Sequence, residues 1–206
     1  MSASEPLNAA RPAVLRLDGL SFAHADGPVL SGLSLAVHAG LTLVRGGEGR
    51  GKTTLLRLMA GLLAPTAGRI ERLTDSIWFE DMADPSHDDI VVQAWLDARR
   101  ARFAGWQAEV AAALIDAFAL TPHAAKPMFM LSTGSRRKVG LVAAAASGAA
   151  LTLVDMPFAA LDAPSRRVVC ELLAEAARGE RAWVVADHER APCLGGVALT
   201  TIDLGD

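Results

Sequence analysis

Residues 46–54 read Gly-Gly-Glu-Gly-Arg-Gly-Lys-Thr-Thr, and this stretch constrains the fold more than any other because of what flanks it. Leu41-Thr42-Leu43-Val44 before it is a short β-prone run, and Leu55 to Ala60 after it is made of helix formers that stop at Gly61. Strand, glycine-rich turn and helix, with Gly-x-x-x-x-Gly-Lys-Thr spacing, specify a loop that cradles phosphate. Gly46, Gly49 and Gly51 let the backbone take turns that a side chain would block and direct N–H groups inward. Lys52 adds a point charge for the outer phosphates. Thr53 opens the helix, whose free N–H groups and positive dipole end face the anion, while its hydroxyl is suited to a magnesium ion. Gly46, Gly47, Glu48, Gly49, Arg50, Gly51, Lys52, Thr53 and Thr54 are therefore assigned to a nucleoside triphosphate.

The chain has 206 residues, enough for one α/β domain with a good core and too few for two independent enzymes. A formal net charge of −3 gives no electrostatic basis for nucleic acid as a partner. The longest apolar stretch, Leu141 to Val154, contains Ser147, Gly148 and Thr152 and is shorter than the roughly 20 residues a membrane helix needs. It reads as a buried helix followed by a buried strand. Residues 1–12 lack the basic start and apolar centre of a signal peptide, so a disordered leader on a cytoplasmic protein is expected. Cys170 and Cys193 have neither a neighbouring Cys nor a metal-spaced His and read as thiols.

Alternation over Val14–Leu17, Leu20–Phe22 and Val29–Val37 predicts strands ahead of the phosphate loop, and Ile70–Phe79 is expected to return to the sheet. From Asp81 the pattern turns helical, clearest over Val91–Arg102 and Trp106–Phe118, with breaks at Pro122 and Pro127. Strand and helix alternate again through Leu151–Val154, Ser165–Arg178 and Ala182–Ala186. The expected organisation is a core of residues 13–80 and 149–206 with a helical lobe inserted at 81–148.

Leu151-Thr152-Leu153-Val154-Asp155 is an apolar run ending in a carboxylate, the form of a buried strand that delivers one acidic group beside a phosphate-bound magnesium ion. Three further segments complete a pattern. Leu131-Ser132-Thr133-Gly134-Ser135-Arg136-Arg137-Lys138 leads into a helix, Ala160-Leu161-Asp162 follows the strand carboxylate, and His188 ends the apolar run Val184-Val185-Ala186-Asp187. Together with the phosphate loop these segments resemble, in order and spacing, the ATP-binding cassette (ABC) ATPase family over nearly the whole chain. The resemblance implies a P-loop NTPase fold of ABC type: a mixed-sheet α/β core with an inserted helical lobe and an N-terminal antiparallel β subdomain. It also implies ATP and magnesium as ligands, with Thr53 and Asp155 at the metal. By the same resemblance Ser132 and Gly134 form a signature loop that serves the ATP of a second cassette, Asp162 belongs to a D-loop, and His188 is a switch histidine. The adenine-stacking aromatic of that family falls at His24 by direct register, with Phe22 on the same strand face as the alternative.

The pattern is broken at three places. Where the family places a glutamate that activates water, this chain has Met156, whose thioether is no useful proton acceptor. Thr133 and Ser135 replace the signature's usual Gly and Gln, and no glutamine stands near the expected Q-loop, where Glu80 and Asp81 occur. Glu80 is a candidate for part of the missing metal-side role, against the plainer reading of a solvated loop carboxylate. The resulting expectation is an ATP-binding subunit with weak hydrolysis that powers a separate membrane permease as one of two cassettes, paired with a copy of itself or with another chain. Such a subunit lies on the inner face of the cell membrane. Compact export-type cassettes, including the haem-exporter ATPases of cytochrome c maturation, are the most similar in size and in the Asp155–Asp162 segment. A nucleotide-dependent dimerisation switch without turnover is the alternative. A DNA-repair or chromosome-organising ATPase would need a long coiled coil between Lys52 and Leu131, for which there is no room.

Overall fold

In the computed structural model, residues 2–3 and 11–205 are described, the first two by backbone only. Strand β1 is Ser2–Ala3, β2 Ala13–His24, β3 Gly27–His38, β4 Gly40–Arg45, β5 Ala67–Arg72, β6 Ile77–Trp78, β7 Leu151–Asp155, β8 Ala182–Asp187 and β9 Thr200–Asp203. Helix α1 is Lys52–Ala60, α2 Val92–Arg102, α3 Ala108–Ala117, α4 Thr133–Ala146 and α5 Ala163–Arg178. The chain divides into two units, one of residues 1–79, 150–156 and 173–206, the other of residues 80–149 and 157–172. The second segment of the latter, 157–172, was expected in the core. The leader expectation for 1–12 falls largely outside the described residues, although Ser2–Ala3 pairs with β9.

The first unit contains two sheets. Five strands in the order β9-β4-β8-β7-β6 run parallel, with β1 antiparallel on the β9 edge. A parallel sheet is covered on both faces, which is why β4 and β8 are apolar along nearly their whole length rather than alternating. Leu55, Leu56, Leu58 and Met59 of α1 are fully buried in one cluster with Val44, Leu153, Val184 and Ile202. At roughly 1.5–3 kcal/mol for each fully buried large apolar side chain, this packing fixes where the helix begins relative to the strand ends. The second sheet is antiparallel, in the order β3-β2-β5. Leu15, Leu17, Leu20 and Phe22 of β2 are all buried although their spacing changes parity, because the pairing with β3 shifts register between Leu17 and Leu20.

The expected return of Ile70–Phe79 to one sheet is corrected. Residues 67–72 form an edge strand against β2, whereas 77–78 join the parallel sheet beside β7. Arg69, Glu71 and Arg72 suit an exposed edge, and the Thr74 hydroxyl accepts a hydrogen bond from the Ser76 N–H (3.1 Å) in the turn between. Strand β9 was not anticipated. The reading of Cys170 and Cys193 as thiols is also corrected: neither is free, and the lack of a sequence neighbour does not exclude a bonded partner far along the chain.

In the second unit, α4 is buried at every position from Val139 to Ala146, which its small alanine side chains permit. Val92, Trp95 and Leu96 are the buried face of α2. The apolar stretch 141–154 therefore divides as expected, helix to Ala146 and strand from Leu151.

Candidate nucleotide site

The phosphate loop leaves β4 at Arg45 and enters α1 at Lys52. Gly51 caps the helix with φ +85°, and a Cβ there would lie 2.5 Å from the Val29 side chain, so both the turn and the close approach require glycine. Lys52 is only 7% exposed. Its ammonium donates to the carbonyls of Gly46 and Gly47, each at 2.7 Å, and so lies across the loop it belongs to. Glu48, Gly49 and Arg50 are exposed, and Thr54 is half-buried in the first turn of α1. The start of α1, with its free N–H groups, thus carries a buried cation in its first residue, an arrangement suited to a polyphosphate.

The end of β7 brings Asp155 to the same place. Thr53 Oγ1 donates to Asp155 Oδ2 at 2.5 Å, and the other carboxylate oxygen, Oδ1, is buried with no hydrogen-bond partner among the described residues. A buried carboxylate oxygen left without a donor is costly unless a cation completes it. A hydroxyl and a carboxylate are hard oxygen ligands of the kind magnesium takes alongside phosphate, so the residues present fit that ion. Met156 follows with φ +49°, its N–H donated to the Ala186 carbonyl at 2.8 Å. His188 is exposed at the end of β8, its N–H donated to Asp187 Oδ1 at 2.7 Å. At the other sheet, Phe22 is 8% exposed within the core and His24 is exposed, its ring edge-on to Phe22 with centroids 4.8 Å apart. Phe22 is thereby accounted for as packing, and His24 is the available face.

In the second unit, Ser132 is the N-cap of α4, accepting from the Ser135 N–H at 3.1 Å and donating to the Ser135 hydroxyl at 3.1 Å. A Cβ on Gly134 would come within 2.3 Å of the Ala160 carbonyl oxygen, so only glycine allows the helix start to touch the segment after β7. Two side chains of α4 tie the same segment. Arg137 donates to the Ala159 carbonyl (2.5 Å) and Lys138 to Asp162 Oδ2 (3.1 Å). The other Asp162 oxygen accepts from the Ser165 N–H at 2.8 Å. The Ser165 hydrogen bonds first, and Lys138 second, hold the Asp162 carboxyl down at about 2. Arg137 and Lys138 were legible only as a basic run; their partners lie more than twenty residues on.

Glu80 is not a solvated loop carboxylate. It is 13% exposed, Arg99 lies 3.1 Å and Arg102 3.6 Å from Oε1, and His87 Nε2 lies 3.6 Å from Oε2. Arg99 also stacks on the Trp95 ring at 3.9 Å. Its charge is already countered by two guanidinium groups within its own unit, so the metal role considered for Glu80 from sequence is withdrawn.

Residues 30–159 match the family model described as ABC transporter. The chain belongs to the ABC transporter family. Among similar ABC proteins is the cytochrome c biogenesis ATP-binding export protein CcmA of Sphingopyxis alaskensis, 38% identical over 85% of this chain and 90% of that protein. The protein of the same name from Rhodobacter capsulatus is 36% identical over 93% of this chain and 83% of its own length. A solved structure of an ATP-binding subunit of an ABC transporter superposes with a TM-score of 0.77 at 20% identity, covering 92% of this chain and 85% of that one, a likeness of fold. The chain is an ABC ATP-binding cassette, and no helix of its described residues is long and apolar enough to cross a membrane.

Proposed function

We propose that this cassette binds magnesium-ATP at Lys52, Thr53 and Asp155, closes on a second cassette and drives a separate membrane permease, with slow intrinsic hydrolysis. The observation that carries the reading is the Thr53–Asp155 pair at 2.5 Å with its second carboxylate oxygen buried and unpartnered, beside the buried Lys52 ammonium. Lys52 keeps two of its three N–H donors on the Gly46 and Gly47 carbonyls and gives the third to an outer phosphate oxygen, and the α1 N-terminus orients the chain of phosphates. A magnesium ion held by Thr53 and Asp155 would neutralise charge developing on those oxygens. Ser132 and the α4 N-terminus donate to the ATP of the second cassette, Asp162 lies in the segment tied to that helix, and His188 lies at the γ-phosphate end. His24 offers its ring face to the base.

Met156 sits where the family's water-activating glutamate would stand, and a thioether neither takes a proton nor orients water well. Losing that group costs a factor of ~10²–10⁴ in rate while leaving binding intact. The same observation favours a second reading, a dimerisation switch whose closed state is long-lived. The relatives named as cytochrome c biogenesis ATP-binding export proteins support export as the transport class, and a cassette that drives a permease would lie on the inner face of the cell membrane. ATP binding and turnover measured on wild type and Met156→Glu test the reading. Tight binding, slow turnover and a gain in the variant are expected; ordinary turnover in wild type with no gain would overturn it. Turnover stimulated by a permease separates transport from the switch.

A further inference from the structure

We infer that the C-terminal segment Asp203–Gly205 is a positioning element for the phosphate loop, holding the Gly46–Gly47 peptide and through it the Lys52 ammonium. The inference rests on the reading of that loop as the ATP site. It starts from β9, which pairs in parallel with β4 from Thr42 opposite Thr200 to Arg45 opposite Asp203. The pairing continues past both strand ends into the loop: the Leu204 N–H donates to the Arg45 carbonyl, and the Gly47 N–H donates to the Gly205 carbonyl, each at 2.9 Å.

Asp203 directs this continuation with both of its oxygens. Oδ2 accepts from Arg45 Nε (3.0 Å) and Nη2 (2.5 Å), which fixes the residue immediately before Gly46. Oδ1 accepts from the Gly205 N–H at 2.9 Å, an aspartate turn two residues long that bends the chain so that the Gly205 carbonyl meets Gly47. These contacts, the Gly205 N–H first and Arg45 next, hold the Asp203 carboxyl below its ordinary range. Leu204 between them is buried in the core and anchors the turn.

The consequence for the site follows from peptide geometry. In a planar trans peptide the N–H and C=O point in opposite directions. With the Gly47 N–H fixed on Gly205, the Gly46 carbonyl of the same peptide points the other way, where Lys52 Nζ donates to it at 2.7 Å. One peptide plane is gripped at both ends, and the ammonium that must reach the outer phosphates is held by that grip. A loop with this plane free to rotate would meet ATP with Lys52 held by the Gly47 carbonyl alone, and part of the pre-organisation would be lost.

The test is calorimetric titration of the full chain with magnesium-ATP, alongside nucleotide-free thermal unfolding. Asp203→Ala removes both contacts and is expected to weaken binding about tenfold, the scale of a lost hydrogen bond to a charged group. Asp203→Asn keeps an acceptor for the Gly205 N–H and is expected to recover most of that loss, whereas a merely structural strand end would show loss in proportion to unfolding temperature. Should Asp203→Ala not fold, a loss of about threefold in Asp203→Asn without a matching thermal shift supports the inference. Wild-type affinity in both variants, with binding weakened at least ~10-fold in Lys52→Ala, overturns the positioning role and leaves the ATP reading standing. No binding by wild type overturns both.

Discussion

Lys52 illustrates how one residue's burial sets what its removal should do. The ammonium is inside the loop, with two carbonyl partners and almost no solvent, so its charge is poorly screened and available to a phosphate without desolvation at the moment of binding. Lys52→Met should therefore weaken magnesium-ATP binding ~10–100-fold, the range for a charge-assisted hydrogen bond, as read by equilibrium titration. Asp155→Asn acts differently. It keeps an acceptor for Thr53 but removes the charge behind the buried oxygen, so the affinity gained on adding magnesium to ATP should shrink to nearly nothing. A full magnesium effect in that variant would remove Asp155 from the metal site. Met156, already in the left-handed region at φ +49°, can be exchanged for Glu at no new backbone cost, which makes Met156→Glu a test of side-chain chemistry alone.

Between residues and domains, the unit of design is the contact of α4 with the segment after β7. Gly134 touches the Ala160 carbonyl, Arg137 and Lys138 hold Ala159 and Asp162, and Asp162 caps toward Ser165. The carboxyl of Asp162 is depressed from its ordinary value near 3.8 to about 2, so its contribution to stability is complete above the ordinary value and disappears as pH falls through about 2. Carboxyl titration followed by NMR should show that low midpoint. Lys138→Met should raise it only part of the way, because the Ser165 hydrogen bonds come first among its causes; an unchanged midpoint would mean the lysine is not engaged in solution. Much of this level is hidden in a sequence. The phosphate loop and α1 are legible because the signals that mark them are local: spacing, glycine, helix formers. Thr53 and Asp155 are 102 residues apart, yet both could be read because one opens and the other ends a recognisable local element. Lys138 with Asp162, Arg99 with Glu80 and Arg45 with Asp203 could not, since a charged residue on a helix or strand end carries no mark of the partner that topology brings to it. β9 was missed for a related reason: four residues, Thr-Thr-Ile-Asp, are too short for alternation to register.

For the molecule as a whole, the site residues fall into two groups that serve different nucleotides in the proposed pair of cassettes. In that proposal Lys52, Thr53, Asp155 and Met156 serve the ATP on the chain's own phosphate loop, and Ser132 with Gly134 the ATP of the other cassette. Magnesium-ATP should therefore convert monomer to dimer, seen by sedimentation velocity, and persistence of a monomer saturated with ATP would mean that the second cassette is a different polypeptide. Within a homodimer the altered signature and Met156 would meet at the same nucleotide, so on the proposed reading both sites should be slow, and repairing residue 156 on one chain should repair one site. An equimolar, freely exchanging mixture of wild type and Met156→Glu should then turn over ATP at half the rate of the pure variant, because every repaired loop finds an intact Ser132 opposite it whichever chain supplies it. A rate near one quarter would instead require both sites to fire together, and the two nucleotides would have to be treated as one coupled machine.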